Sequence, residues 1–189
     1  MPYTIFVINL SISIERKKNI SQQLERLKLD YKIFPAVNGK DGHDLLSMYN
    51  DKLSHKYRGR SLTAGQLGCY ASHYLLWQEC IKLNKPIIII EDDAIISPEP
   101  MLDFMQKIPT LPREMEFIRL HKHQRKKYSS QKNIQTEKLE IHRFNKGHMG
   151  TIGYFITPKA AEKFLLASNE WVLPVDIMMD RFWHTKVEC

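Results

Sequence analysis

Four consecutive isoleucines, Ile87 to Ile90, follow Pro86 and run straight into Glu91, Asp92 and Asp93. A short unbroken apolar run bounded by proline reads as a central strand buried on both faces. The acidic end is the constraint. Three carboxylates repel one another, so a fold gains nothing by gathering them at a strand end. A hard divalent cation relieves that repulsion, because it prefers oxygen ligands. Ligands in open α/β sheets also sit at the carboxyl ends of strands. The segment therefore suggests a metal-assisted site for an anionic substrate, with a nucleotide diphosphate as the leading candidate. The competing reading is an acidic turn that merely stops a strand. The segment alone leaves both open.

The rest of the chain supplies the setting for that strand. Residues 3–10 read as a second buried strand, and Ser13 as the cap of a helix to about Leu29 that turns Ile20, Leu24 and Leu27 to one side. Residues 31–37 complete a strand–helix–strand unit, which implies parallel pairing. Residues 40–62 are polar and irregular, with short helical patches. From Ala64 to Leu83 the pattern is helical, with Cys69, His73, Leu76, Cys80 and Leu83 at the spacing of one face. Ser97-Pro98 and Thr157-Pro158 both have the form of a cap followed by proline at the first helical position. Residues 115–120, 139–144 and 151–156 read as strands, and a last helix is expected over Asp176 to Trp183. Alternating strands and helices indicate one α/β domain with a mostly parallel sheet, part of it antiparallel where the later strands crowd. No GxGxxG or P-loop follows the first strand, which argues against a dinucleotide dehydrogenase or a P-loop kinase.

A length of 189 residues fits one domain with a real core. No apolar run approaches the ~18 residues of a membrane span, and residues 3–10 lack the length and basic flank of a signal segment. The expected compartment is the cytosol. Three cysteines without a CxxC pair fit it, and small apolar packing is favoured for Cys69 and Cys80 over redox or metal chemistry. A net charge of +7 and a pI near 9.2 favour an anionic partner: nucleic acid, an anionic membrane or a phosphorylated substrate. The charge concentrates in Lys122, Arg125, Lys126, Lys127, Lys132 and Lys138, beside His121 and His123. This reads as a solvated loop. Tyr128 is the only aromatic platform there, which is poor support for a nucleic-acid groove.

Three further clusters accompany the acidic strand end. Leu62 to His73 places Gly65 and Gly68 at a helix start, where backbone approaches closely and phosphate is often held. The same segment reads equally as a loop-to-helix junction with His73 packed in the core, and for His73 alone that reading is favoured. Gly150 to Tyr154 leaves room for a sugar or marks a bulge. Asp176, just after Pro174-Val175, reads as a helix cap or as a general base facing a pocket.

Together these segments resemble glycosyltransferase family 25, the lipooligosaccharide galactosyltransferase family, related to the collagen galactosyltransferases. The resemblance runs through Val7 to Leu10 with Arg16, Phe34 to Ala36, Gly65 to His73, Ile90 to Asp93, Ile118 to Leu120, Gly150 to Tyr154 and Pro174 to Asp176. It implies a GT-A-like (Rossmann-like) fold, a mixed, mostly parallel sheet flanked by helices. It implies a UDP-galactose or other UDP-hexose donor, a manganese or magnesium ion, and inversion at the sugar carbon. Glu91, Asp92 and Asp93 would then be the acidic metal motif, with Asp93 the first choice for direct ligation. Asp176 is the candidate base, with Asp180 and Asp92 as rivals. Asn9, Arg16, Gly65, Ser72, His73, Arg119 and Gly153 would hold the nucleotide sugar. The implied acceptor is a lipooligosaccharide outer core, reached from the cytoplasm with peripheral contact to the inner membrane and without nucleic acid.

Two departures accompany the resemblance. Gln66 stands where family members often carry glutamate. Relatives usually continue by several tens of residues past the equivalent of Cys189, a stretch that often supplies a late metal ligand and part of the acceptor site. His184 or His148 would stand in for that ligand. These departures motivate a second reading, an inactive nucleotide-sugar-binding remnant. A nucleic-acid-binding domain rests on pI alone and has no motif behind it.

Overall fold

The computed structural model describes residues 3–121, 130–144 and 147–187. The chain opens with β1 (Thr4–Asn9), α1 (Ile14–Arg26) and β2 (Tyr31–Pro35). A 3₁₀ turn (Asp44–Met48) and α2 (Asp51–Arg58) carry the polar stretch, followed by α3 (Ala64–Leu83) and β3 (Ile87–Glu91). Then come α4 (Pro98–Lys107), β4 (Phe117–Arg119), β5 (Ser130–Gln135) and β6 (Glu140–Phe144). β7 (Gly153–Ile156), α5 (Pro158–Ala167), α6 (Val175–Met179) and α7 (Phe182–Thr185) complete it.

The main sheet has the order β2-β1-β3-β7-β4. β1 pairs in parallel with β2 and with β3, while β7 pairs antiparallel with both β3 and β4. Four strands therefore point one way, and β7 alone is reversed. The reversal brings the segment leading into β7 to the edge where β3 ends, and the Glu91 N–H donates to the Ile152 carbonyl at 2.9 Å.

The isoleucine run is central, as its unbroken apolarity requires. Ile87 and Ile89 join Phe6, Ile8, Tyr154 and Ile156 beneath α3, α5 and α6. Ile88 and Ile90 join Ile5, Val7 and Phe155 beneath α1 and α4. Each isoleucine is at most 3% exposed, and such burial stabilises by roughly 1.5–3 kcal/mol per side chain.

The elements differ from expectation at several places. Ser130–Gln135 is a strand, paired antiparallel with β6 in a separate two-stranded sheet. Its sequence offers only Ile134 as an apolar residue, so no alternation announces it. Thr157 caps α5 by accepting from the Ala160 N–H, but the Ser13 and Ser97 side chains make no capping bond. The last helix divides into α6 and α7, because Arg181 leaves the helical region. Residues 122–129 of the basic stretch lie outside the described residues. Two of its other cations pair with acids: Lys132 with Glu140 at 2.7 Å and Lys138 with Glu99 at 3.8 Å. No helix among the described residues is long and apolar enough to cross a membrane.

Candidate active site

β3 delivers its three carboxylates to one edge, but they part there. Along a strand, successive side chains face opposite sides. Glu91 keeps the parity of Ile87 and Ile89 and turns towards α3. Asp92, one residue on, turns towards α1.

On the α3 side, Glu91 Oε1 accepts from the Thr151 hydroxyl at 2.5 Å and lies 3.2 Å from His73 Nε2. Cys69 Sγ is 3.9 Å from the same oxygen. The opposite ring nitrogen of His73 meets Tyr154 Oη at 2.8 Å, and Trp77 Nε1–H donates to that Oη at 3.0 Å. His73, Trp77 and Tyr154 are all buried. Burial pulls the His73 imidazole down, but hydrogen bonding with Cys69 and Glu91, and their charge, outweigh it and raise its pKa to about 9. Burial pushes the Glu91 carboxyl up, yet the His73 hydrogen bond and charge, with the Thr151 hydroxyl, leave it below its ordinary value.

On the α1 side, Asp92 accepts from Asn9 Nδ2 at 2.7 Å and from Arg16 Nη1 at 3.1 Å. Asn9 also donates to the Ser13 carbonyl, which ties the start of α1 to the sheet edge. Asp93 stands apart, its side chain 55% exposed and 4.0 Å from Arg16. Partial burial first, then the Glu91 and Asp92 carboxylates, raise its pKa.

A third wall is built on Arg119. This buried guanidinium pairs with Asp180 at 2.7 Å and donates to the Gly150 carbonyl. Asp180 also accepts from the Met149 N–H at 2.6 Å, and burial outweighs the pull of Arg119 and pushes its carboxyl up. Asp176 Oδ2 accepts from the Gly150 N–H at 3.0 Å. Gly150 has φ +81°, a conformation that favours glycine.

Between the α3 side and the Gly150–Asp176 wall lies a cleft of about 450 Å³ at the carboxyl edge of the sheet. Thr63, Gly65, Gln66 and Cys69 from the start of α3 line it, with Glu91, Gly150, Thr151 and Asp176. Three of the sequence clusters thus meet the acidic strand end. Among the predicted site residues, Gly65, Glu91 and Asp176 line the cleft. Asn9, Arg16 and Asp92 form the adjoining cluster, with Asp93 at its margin. Ser72 is buried and holds the chain together, accepting from the Val37 N–H and donating to the Gly68 carbonyl. Gly153 is buried within the sheet opposite Ile90. Arg119 and Asp180 neutralise each other behind the wall. His148 packs edge-on against Phe144 and His184 is exposed; neither lines the cleft.

Two expectations need correction in detail. The close approach at Gly68 is to the protein's own backbone: a Cβ there would lie 2.4 Å from the Val37 carbonyl oxygen. Cys80 packs in the core as expected, but Cys69 is half-buried and lines the cleft. The Cys69–His73 spacing of one helical turn carried that signal; the missing information was that Glu91 arrives opposite. Thr151 had no such signal. Gln66 completes a capping box, its Oε1 accepting from the Thr63 N–H at 3.0 Å while the Thr63 hydroxyl accepts from the Gln66 N–H. Glutamine does this as well as glutamate.

A mixed five-stranded sheet flanked by helices, with a cleft at its carboxyl edge, defines a Rossmann-like α/β protein consistent with the GT-A fold. Residues 3–179 match the model of glycosyltransferase family 25 (LPS biosynthesis protein), and the chain belongs to that family. It is 29% identical over 193 residues to procollagen galactosyltransferase 1 of Danio rerio, covering 91% of this chain and 30% of that protein. It is 30% identical over 190 residues to procollagen galactosyltransferase 1-A of Xenopus laevis, with 91% and 30% covered. A glycosyltransferase 25 family member of Drosophila pseudoobscura pseudoobscura is 29% identical over 194 residues, with 94% and 30% covered. The chain spans about 30% of the length of these relatives.

Proposed function

We propose that this chain is an inverting glycosyltransferase that moves a hexose, galactose first among them, from a UDP-sugar to a glycolipid acceptor of the lipooligosaccharide outer core. The cleft carries this reading, because it gathers segments from four distant parts of the sequence at the sheet edge where α/β proteins bind ligands. The names of the relatives support galactose, and the family's description supports a lipopolysaccharide-type acceptor.

Asp93 suits a hard divalent cation, manganese or magnesium. Its side chain reaches solvent, yet partial burial and then its neighbours' negative charge disfavour its ionisation, and a cation would relieve that field. Glu91 and Asp92 are engaged by His73 and Thr151 and by Asn9 and Arg16, so Asp93 is the principal ligand of the three. The bound cation would stabilise charge on the departing UDP. Asp176 is the base: it lines the cleft with one oxygen fixed by the Gly150 N–H. It takes the proton of the acceptor hydroxyl as that oxygen bonds to the sugar carbon and the bond to UDP breaks. Asp180 is unsuited, being held by Arg119.

The test is calorimetric titration of UDP-galactose with and without manganese, on the wild-type protein and on Asp93→Ala. Manganese-dependent binding that disappears in the variant is expected. Equal binding by both proteins would remove Asp93 from the donor site. Binding without transfer to any lipooligosaccharide acceptor would favour the inactive remnant.

A further inference from the structure

We propose that Cys69 Sγ, His73 Nε2 and Glu91 Oε1 form a second metal site, for a thiophilic divalent cation of the zinc class, with its fourth position open to the cleft. The three donor atoms all lie within 4.8 Å of one another. Zinc bound tetrahedrally, with bonds of about 2.0–2.3 Å, holds its ligand atoms roughly 3.3–3.7 Å apart. The observed His73–Glu91 and Cys69–Glu91 separations are 3.2 and 3.9 Å and the third is within 4.8 Å, so side-chain shifts of about an ångström close the set.

The surroundings are those of a ligand set already aimed. A metal-binding histidine is oriented by the partner of its other ring nitrogen, and that partner fixes which nitrogen is offered. Here Tyr154 Oη takes His73 Nδ1, and Trp77 anchors Tyr154 in turn. Nε2 is thereby presented to Glu91 and Cys69, and a bound cation would take the place of its proton. The Thr151 hydroxyl donates to the same Glu91 oxygen and holds it in place. Cys69 and His73 project from one face of α3 a single turn apart, which holds their spacing on a rigid element. Access is direct, since Cys69 and Glu91 both line the cleft.

The chemistry of the set separates it from Asp93. One sulfur, one imidazole nitrogen and one carboxylate oxygen suit zinc or cobalt, whereas magnesium and manganese favour oxygen alone. The two sites therefore sort cations by softness. Occupation of the second site does not require Asp93, nor does it require the chain to transfer sugar.

Cobalt(II) titration of the whole chain under reducing conditions tests this. The expected result is one equivalent bound, with a thiolate-to-cobalt charge-transfer band and the intense visible bands of tetrahedral cobalt, all displaced by zinc. Cys69→Ser should abolish the charge-transfer band. Asp93→Ala and Cys189→Ser should keep it. Thr151→Val, which replaces the hydroxyl on Glu91 with a methyl of similar size, should weaken zinc binding by roughly tenfold. No charge-transfer band in the wild-type protein, or a band that survives Cys69→Ser, would overturn the proposal. Cys69 is half-buried and serine is nearly its shape, so this variant keeps the fold, as circular dichroism would verify.

Discussion

Glu91 and Asp92 are neighbours in sequence and carry the same charge, yet the two faces of the sheet receive them differently. Under α3, Glu91 meets an enclosed array of His73, Tyr154, Trp77 and Thr151, in which each buried polar group has a partner. Under α1, Asp92 is held by Asn9 and by an arginine whose side chain is 54% exposed, and Asp93 beyond it faces solvent. One step along a strand separates the two environments. A run of acids at a strand end is therefore not one chemical unit. The pleat divides it, and each face decides what its carboxylate can do.

The sharpest challenge to this contrast is Tyr154→Phe. It leaves the Trp77 and His73 ring donors unpaired inside the α3 face. At roughly 1–3 kcal/mol for each of the two buried donors, urea unfolding should show a loss of about 2–6 kcal/mol. A loss below about 1 kcal/mol would mean that water reaches the array, and the two faces would then be alike. Gly68→Ala comes next. Its Cβ would meet the Val37 oxygen at 2.4 Å and the Gly39 nitrogen at 2.7 Å, an overpacking expected to cost about 1–3 kcal/mol.

The pH dependence of stability tests the α3 face. His73 has a folded pKa raised from 6.5 to about 9, so its contribution to stability is fully present below pH 6.5 and lost as pH rises through about 9. Unfolding midpoints should fall across that window in the wild type and lose this slope in His73→Gln. Flat wild-type midpoints would mean that His73 is neutral in the native state. The smallest effect belongs to the α1 face. Arg16→Ala removes a half-exposed partner of Asp92 and should cost under about 1 kcal/mol, less still at high salt. A larger cost would show that Asp92 depends on Arg16 as Glu91 depends on His73.

Much of the fold was legible because it rests on periodicity. The isoleucine run, the strand–helix–strand opening and the Thr157 cap all follow from local pattern and all stand in the structure. β5 was not legible, since Ser130–Gln135 carries no alternation and is a strand only through its pairing with β6. The site was legible as four clusters but not as contacts. Arg119 and Asp180 are far apart in sequence, and nothing local says that one neutralises the other. The divergence of Glu91 from Asp92 was readable in principle: the period of two that explains four isoleucines in a row continues into the acids.

The Arg119 strut bears on how such a cleft is re-tailored. Gly147 lies flat on Asp180, where any Cβ would come within 2.5 Å of the carboxylate, and Gly150 is clasped by Arg119 on one side and Asp176 on the other. That jaw has no slack, and bulk added to it would unseat the ion pair beneath. The opposite jaw is different. At Gly65 the nearest atom to an added Cβ is the Thr63 hydroxyl oxygen, 3.9 Å away. Variation in which ligands the cleft admits should therefore be sought at the first turn of α3, where side chains can grow or shrink without disturbing the frame.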